Sequence, residues 1–373
     1  MKQVHIKSTA GYLPGEPITN EDIERLVGPL PEDILEGIQV KQRHWMIDPA
    51  TGEHTTSNTE MATAAARLAL AEAELEPQQV ELIVTSTASP EYHLPPMVTF
   101  VQEALGLERC ATMEIRSGCA GFVEALDVAR LYLESGAYEN AVVIGSESIS
   151  PLLVPVFRGK DPDRIRMRDR MNPYNFGDGA GAVVLQATDD GETGYLGAAM
   201  ACVGGKHAAG MQVIGGATHE PLHKQLEAKH LVDLKVDVVE SGRFTPYVLT
   251  EALTEVLKAS GLSADEIDLA VIPEGNAGYM VEELKAAGLL TPEWLALEGK
   301  IYENLTYVAA TGSAAVPLAL DDARKKGRVK QGDKVMLLAI ETSKWKYAGA
   351  VVNWTATSAP SEAATGTERM AVA

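Results

Sequence analysis

The feature that most constrains the fold of this chain is an internal duplication. Residues 75–84, LEPQQVELIV, match residues 262–271, LSADEIDLAV, at a constant shift of 187 residues. Residues 125–130 match residues 319–324 at a shift of 194, and the apolar runs AVVIGSES and VMLLAIET that follow keep this register. A helix, turn and strand order that recurs in this way predicts one structural unit built twice.

Short, continuous apolar runs lie in both copies, including ELIVTST, GAVVLQ, LAVIPE and VMLLAIE. Such runs are typical of strands buried on both faces, and they alternate with helical stretches. We therefore predict an α/β fold with largely parallel sheets, layered around a central helix from each half. The polar turn ATDDGETG divides an N-terminal half, 1–190, from a C-terminal half, 191–356, and the small, polar residues 357–373 predict a disordered tail.

Charge and composition exclude several classes of function. Asp and Glu number 52 against 32 Lys and Arg, a formal net charge of −20, so we expect neither nucleic acid nor a membrane as a partner. The sequence lacks an apolar run of membrane-spanning length and a signal peptide, which favours the cytoplasm. Three scattered cysteines are too few for a disulfide framework or a zinc site, so we expect no metal and no cofactor.

Cys119 is the best candidate for a nucleophile. It lies in the sequence IRSGCAGF, between the strand-like ATMEI and the helical FVEALDVARLYLESG. The positive end of a helix dipole and free backbone N–H groups stabilise a thiolate at such a turn. The flanking Gly118 and Gly121 let the backbone turn sharply. The alternative interpretation is a small buried hydrophobe, which we retain for Cys110 and Cys202.

Two motifs and a loop identify a family resemblance. SGCAGF, the glycine-rich FGDGAGA at 176–182 and the segment STASPEYHLPP at 86–96 resemble, in this order, the nucleophile motif, glycine motif and pocket loop of the β-ketoacyl-acyl carrier protein synthase III family. The resemblance implies a thiolase-like fold in five layers (αβαβα), a homodimer, and Cys119 as carrier of an acyl group. It also implies an acyl-thioester substrate, delivered by coenzyme A or an acyl carrier protein.

The chain departs from the family at three places. Condensing members use a His and an Asn of the second half, and these positions are occupied by Glu274 and Ala310. The terminal glycine run of the family reads IETSKWKY here and contains Glu341. Loss of two neutral hydrogen-bond donors removes stabilisation that an enolate requires, so decarboxylative condensation is disfavoured.

These departures favour an acyltransferase of specialised metabolism. In this hypothesis Cys119 takes the acyl group and Glu274, as a general base, helps an alcohol or amine to remove it. A second hypothesis is a condensing enzyme that still forms a carbon–carbon bond. A third is a non-catalytic partner subunit of a heteromeric synthase. A structural role for the Glu274 carboxylate is an alternative interpretation of that residue.

Four further side chains are secondary candidates. Glu341, which aligns with Glu147 in the duplicated register, either faces the pocket or serves the structure. Asn276 and Asn304 are candidates for the missing Asn role, and His93, on the predicted pocket loop, is a candidate base.

Donor delivery also differs from the family pattern. One coenzyme A-binding arginine of the family maps near Leu35 and is absent, whereas the other corresponds to Arg170. Arg170 ends a basic run that is either a docking surface for phosphopantetheine or a carrier protein, or a solvated loop; its members are Arg158, Lys160, Arg164, Arg166, Arg168 and Arg170. The segment 204–230 is either a lid over the pocket or an ordinary loop.

Overall fold

The structure is a computed structural model that describes residues 2–189, 191, 194–228 and 233–356. The predicted tail, 357–373, lies outside the described residues. Residue 190, at the predicted boundary between the halves, and His230, at the end of the predicted lid, lie outside them as well.

The first half contributes the strands and helices up to residue 188. Its strands are β1 (Gln3–Tyr12), β2 (Ile18–Thr19), β3 (Gln42–Arg43), β4 (Leu82–Ser86), β5 (Ala111–Ile115), β6 (Asn140–Glu147) and β7 (Gly179–Thr188). Its helices are α1 (Asn20–Val27), α2 (Glu32–Ile38), α3 (Asn58–Glu72), α4 (Met97–Ala104), α5 (Gly121–Glu134), α6 (Ser150–Phe157) and α7 (Met167–Asn175).

The second half begins at residue 195. Its strands are β8 (Tyr195–Cys202), β9 (Met211–Ile214), β10 (Asp233–Val236), β11 (Leu269–Val271), β12 (Ile301–Tyr302), β13 (Lys334–Glu341) and β14 (Lys346–Asn353). Its helices are α8 (Leu222–Ala228), α9 (Val238–Ser260), α10 (Ala277–Ala286), α11 (Pro292–Ala296), α12 (Leu305–Val308) and α13 (Ala315–Lys325).

The two large sheets have the same topology. The first sheet has the strand order β1-β7-β6-β4-β5, and the second, read in the same direction, has the order β8-β14-β13-β11-β12. The matching strands β6 and β13 begin and end 194 residues apart, as the sequence register requires. Both halves even place a short 3₁₀ turn before the matching strands β4 and β11, at 77–79 and 264–266. The duplicated α/β fold is therefore confirmed.

Five layers stack across the molecule. Helices α5 and α13 pack between the two sheets, α3 and α4 cover the outer face of the first sheet, and α9 covers that of the second. Helix α3 lies close to its sheet because its inner face consists largely of small, fully buried residues, Ala62, Ala65, Ala66 and Ala69. Each large aliphatic side chain buried between these layers contributes about 1.5–3 kcal/mol to folding.

The expectation of largely parallel sheets is wrong for half of each sheet. Strand β4 pairs in parallel with β5 and β6, but β7 pairs antiparallel with both β6 and β1, and the second sheet repeats this pattern. The tight turn at 342–345 reverses the chain between β13 and β14, which forces an antiparallel pair. Strand β7 is buried on both faces over its first seven residues, so its sequence is continuously apolar like that of a parallel strand.

An additional apolar cluster lies beyond the end of β6, where the chain leaves the first sheet. It joins α1, α6, α7 and β10, and its fully or nearly fully buried members include Ile23, Val27, Trp45, Leu153, Val154 and Tyr174. This cluster supports the chain at the end of the sheet where the candidate site lies.

Candidate functional site

Cys119 lies in the turn between β5 and α5, two residues before the helix begins. The backbone N–H of Gly121 donates to the carbonyl oxygen of Gly118 at 2.8 Å, which closes the turn. A Cβ atom at Gly121 would contact the Ser86 hydroxyl and would lie 2.9 Å from the Ser117 Cβ, so only glycine fits there. The predicted strand-to-helix position of the thiol is confirmed.

The second half supports this turn through Ser313, the duplicated counterpart of Cys119. Its hydroxyl lies 2.8 Å from the Ser117 carbonyl oxygen and 2.9 Å from that of Gly118, and it lies 3.1 Å from the Ser86 hydroxyl. Ser313 is fully buried. The sequence register aligned the two residues but did not show that one holds the other in place.

Glu147, at the end of β6, links the two halves. Its carboxylate accepts hydrogen bonds from the backbone N–H groups of Ala88 at 2.9 Å and Ser89 at 2.8 Å, and from that of Ser313 at 3.1 Å. Burial raises the pKa of Glu147 to about 7, although these hydrogen bonds act in the opposite direction. These bonds give Glu147 a structural role.

Glu341, at the end of β13, is 2% exposed. Its Oε1 accepts a hydrogen bond from the backbone N–H of Ser343 at 3.0 Å, whereas its Oε2 is buried without a hydrogen-bond partner. A Cβ atom at Gly118 would collide with this Oε2, so the free oxygen lies directly against the residue that precedes Cys119.

Glu274 follows β11 and is held by the neighbouring strand. Its Oε1 accepts a hydrogen bond from the backbone N–H of Ile340 at 2.7 Å. Burial raises the pKa of Glu274 to about 8, and the charge of Glu341 raises it further. A carboxyl group with such a pKa exchanges protons readily near neutral pH, which is the property required of a general acid or base.

The electrostatics of Cys119 differ from the sequence expectation. Burial raises the pKa of the Cys119 thiol well above its ordinary value, and Glu274, Glu341 and Glu147 raise it further. The backbone N–H at the helix end lowers it, but this effect is smaller. The sequence expectation considered only the helix end, whereas burial and three carboxyl groups oppose a thiolate in the unloaded site.

Comparisons with known proteins agree with this architecture. The sequence model for 3-oxoacyl-[acyl-carrier-protein] synthase III matches residues 113–204, and the model for its C-terminal part matches residues 257–354. A β-ketoacyl-[acyl-carrier-protein] synthase III of Caldanaerobacter subterraneus is 30% identical over 94% of this chain and 97% of its own length. This chain belongs to the β-ketoacyl-[acyl-carrier-protein] synthase III family.

A further relative and two solved structures show similar agreement. The relative from Rhodospirillum centenum is 33% identical over 94% of this chain and 98% of its own. The structure of 3-oxoacyl-[acyl-carrier-protein] synthase III from Aquifex aeolicus aligns with a TM-score of 0.76 and 26% identity, over 94% of this chain and all of that one. A tetronic acid condensing enzyme aligns with the same TM-score at 25% identity, over 94% of this chain and all of that one. The thiolase-like fold of the family is thus confirmed.

Three further candidate residues, Asn276, Ala310 and Asn304, make structural contacts or line a cavity. Asn276 caps α10, because its Oδ1 accepts from the Gly278 N–H at 3.0 Å. Ala310 bridges to Phe176, so its backbone ties the second half to the glycine-rich motif. Asn304 is 8% exposed, and its Oδ1 has no partner. Asn304 lines a cavity of about 350 Å³ whose other lining residues include Gln42, His44, Tyr307, Asp321 and Lys325.

The Arg170 guanidinium group is engaged by the backbone. It donates to the carbonyl oxygens of Ile165 at 3.0 Å, Pro29 at 2.9 Å and Pro162 at 2.9 Å. Through its bond to Pro29, Arg170 joins the end of the basic run to the chain segment that follows α1. Other members of the run pair with acidic neighbours: Arg164 with Asp161, and Arg166 and Arg168 with Asp169.

The described part of the predicted lid, 204–228, contacts both the pocket loop and the turn after Glu341. His93 is exposed, and its Nε2 lies 2.7 Å from the carbonyl oxygen of Gly216. The indole N–H of Trp345 donates to the Ala208 carbonyl oxygen at 2.7 Å. These contacts join the segment to the pocket loop and to the turn after Glu341, and its role as a lid or an ordinary loop stays a prediction.

The described residues lack a membrane-spanning helix and a cluster of metal ligands. Within these ranges, no helix is long and apolar enough to cross a membrane. The same ranges contain no group of three or more His, Cys, Asp or Glu side chains arranged to hold a metal ion.

Proposed function

We propose that this chain is an acyltransferase that loads an acyl group from a thioester of coenzyme A or a carrier protein onto Cys119 and transfers it to an oxygen or nitrogen nucleophile. The observation that carries the proposal is the Glu274 carboxyl group, which is fixed by the Ile340 N–H and acts electrostatically on the Cys119 thiol. By the family resemblance, Glu274 and Ala310 stand where condensing relatives carry His and Asn. The protein acts as a homodimer in this proposal.

The first half-reaction forms the acyl-enzyme. Glu274 takes the proton of the Cys119 thiol, and the sulfur attacks the carbonyl carbon of the donor thioester. The carbon–sulfur bond of the donor breaks, and the leaving thiolate takes the proton from Glu274. The Cys119 backbone N–H, at the helix end, is a candidate donor to the oxyanion that forms on the way.

The second half-reaction releases the acyl group. Glu274, again a carboxylate, accepts a proton from the acceptor hydroxyl or amine as its oxygen or nitrogen bonds to the acyl carbon. The bond from that carbon to the Cys119 sulfur breaks, and the proton on Glu274 returns to the sulfur. Protons and electrons balance over the cycle without a cofactor.

Intact-protein mass spectrometry tests the first half-reaction. We expect a panel of acyl thioesters to add one acyl mass to the protein and to its Cys202→Ala variant, which lacks the exposed Cys202 thiol. The Cys119→Ala variant should gain no mass. An absence of adducts across a broad panel would contradict the proposal and favour a non-catalytic partner subunit.

The role of Glu274 is tested by the second half-reaction. We expect Glu274→Gln to acylate more slowly, because it lacks the base for the thiol proton. Once acylated by prolonged incubation with the donor, it should release the acyl group to an acceptor about 10²–10⁴-fold more slowly, the usual contribution of a general base. Glu282→Gln, at an exposed glutamate on α10, is the matched control and should leave the rate unchanged. Equal release rates in all three proteins would remove Glu274 from the mechanism.

Carbon–carbon bond formation is the second candidate function. It is favoured by the curated relatives, which are named β-ketoacyl-[acyl-carrier-protein] synthases, and by the similar tetronic acid condensing enzyme. In that case Glu274 would deprotonate a carbon atom rather than a heteroatom. Product analysis separates the two functions, because condensation yields a ketone and acyl transfer to a heteroatom yields an ester or an amide.

A further inference from the structure

The free oxygen of Glu341 marks a position where a hydrogen-bond donor is missing. Glu341 is 98% buried, its Oε1 is occupied by the Ser343 N–H, and its Oε2 faces the nucleophile turn at Gly118 without a partner. A buried carboxylate oxygen without a donor is costly, and a native site compensates it with a ligand or with water. The oxygen lies against Gly118, the residue before Cys119, so a ligand that enters next to the thiol is the candidate donor.

The charge around Cys119 indicates what kind of donor this is. Glu274, Glu341 and Glu147 all act electrostatically on the Cys119 thiol. Lys346 also contacts the turn, with its Nζ 3.2 Å from the Ser117 hydroxyl, but its charge is already paired with Glu124 at 2.5 Å. The Glu341 carboxylate, whose Oε2 has no partner, therefore opposes an anionic acceptor beside the turn and favours a cationic one.

We infer that the acyl acceptor is a primary amine that enters as its ammonium form and is bound by Glu341 Oε2. This inference rests on the proposed acyl transfer and names its acceptor class. The ammonium group supplies the hydrogen-bond donor that Oε2 lacks and pairs with the negative charge of the Glu341 carboxylate. Glu341 is then the residue that distinguishes an amine from a carboxylate-bearing extender of the kind used in decarboxylative condensation.

The reaction with an amine balances as follows. The bound ammonium gives one proton to the Glu274 carboxylate and becomes a neutral amine, whose nitrogen bonds to the acyl carbon of the Cys119 thioester. The carbon–sulfur bond breaks, the sulfur takes the proton held by Glu274, and the second proton of the nitrogen leaves to solvent. The product is an amide and the thiol is restored.

Binding to the Cys119→Ala variant tests the inference without any acylation. Calorimetric titration would use primary alkylammonium ions of increasing chain length, with the alcohols and carboxylates of matched length as comparisons. We expect the ammonium ions to bind at least about tenfold more tightly than the alcohols, and the carboxylates to bind most weakly. Equal binding of the ammonium ions and alcohols, or tighter binding of the carboxylates, would overturn the inference.

Glu341→Gln assigns that preference to one residue. Glutamine keeps the size of the side chain but removes its charge, so we expect the amine-to-alcohol binding ratio to fall at least about fivefold in the Cys119→Ala background. Glu282→Gln in the same background is the control and should leave the ratio unchanged. An unchanged ratio in Glu341→Gln would reject Glu341 as the amine-binding residue.

Release of a preformed acyl-Cys119 enzyme supplies the second measurement. Thioesters react intrinsically faster with amines than with alcohols, so the decisive quantity is the change in the amine-to-alcohol rate ratio when Glu341 is replaced by Gln. We expect this ratio to fall mainly through a higher KM for the amine, measured on enzyme that has been acylated beforehand. Failure of Cys119 to acylate would count against the proposed function, whereas acylation with an unchanged ratio would count against this inference alone.

Discussion

At the residue scale, the proposed chemistry depends on one carboxyl group. Glu274 combines a fixed position, through the Ile340 N–H, with a pKa that burial raises to about 8. Cys119 depends on such a neighbour, because burial and the surrounding carboxyl groups hold the pKa of its thiol well above the ordinary value. In the proposed mechanism, Cys119 and Glu274 therefore act as one proton-exchanging unit.

The pH dependence of acyl release follows from this pKa. Glu274 acts as a base only when it has lost its proton, so the release rate should rise with pH and level off above a midpoint near 8. Hydroxylamine is a suitable acceptor because it is neutral across this range, and rapid-quench mass spectrometry of the preformed acyl-Cys119 enzyme gives the rate.

The matching control for this pH profile is Glu274→Gln. The variant should release the acyl group slowly and should lack the inflection near pH 8, since its amide does not titrate. An inflection of equal size and position in the variant would show that another group sets the profile.

At the element scale, the site is built where the ends of strands meet the beginnings of helices. The β5–α5 turn carries Cys119, the end of β13 carries Glu341, and the turn before α13 carries Ser313, which holds the nucleophile turn from the opposite half. These elements approach so closely that a glycine is required at Gly118, where the Glu341 carboxylate fills the space of a side chain.

Gly118→Ala tests this close approach. The added methyl group would collide with Glu341 Oε2, so we expect the free energy of unfolding to fall by about 1–3 kcal/mol and Cys119 acylation to slow. Gly242→Ala, in an open position on α9, is the control and should be neutral or stabilise the protein by up to about 1 kcal/mol. Urea denaturation measures the stability of both variants, and an unchanged midpoint for Gly118→Ala would contradict the close contact between Gly118 and Glu341.

At the scale of the whole molecule, one edge of the first sheet remains open in the single chain. Strand β5 is the last strand of that sheet and is only partly buried. The nearby pocket loop exposes Tyr92 by 56% and Leu94 by 80%. An open edge beside exposed apolar side chains suits pairing with a second copy of the chain, which is the expectation for a homodimer.

Analytical ultracentrifugation tests the homodimer. We expect the protein to sediment as a dimer and the Tyr92→Glu and Leu94→Glu variants to shift toward monomer, because each places a charge on the exposed apolar surface of the loop. Leu68→Glu changes another exposed leucine, 48% exposed, on α3 and should remain dimeric. The expectation would be contradicted if the unmodified protein were a monomer, or if both variants still sedimented as dimers.

The sequence by itself determined the duplicated α/β fold, the register that pairs Cys119 with Ser313, and the turn that holds the thiol. Repeats, apolar runs and glycine-flanked turns are patterns of the sequence itself, so they can be recognised without knowledge of tertiary contacts. The tertiary structure decided the antiparallel half of each sheet, the support of the nucleophile turn by Ser313, and the free Oε2 of Glu341. It also reversed the expected effect on the Cys119 pKa, because burial and charges on distant strands act only after the two halves have packed together.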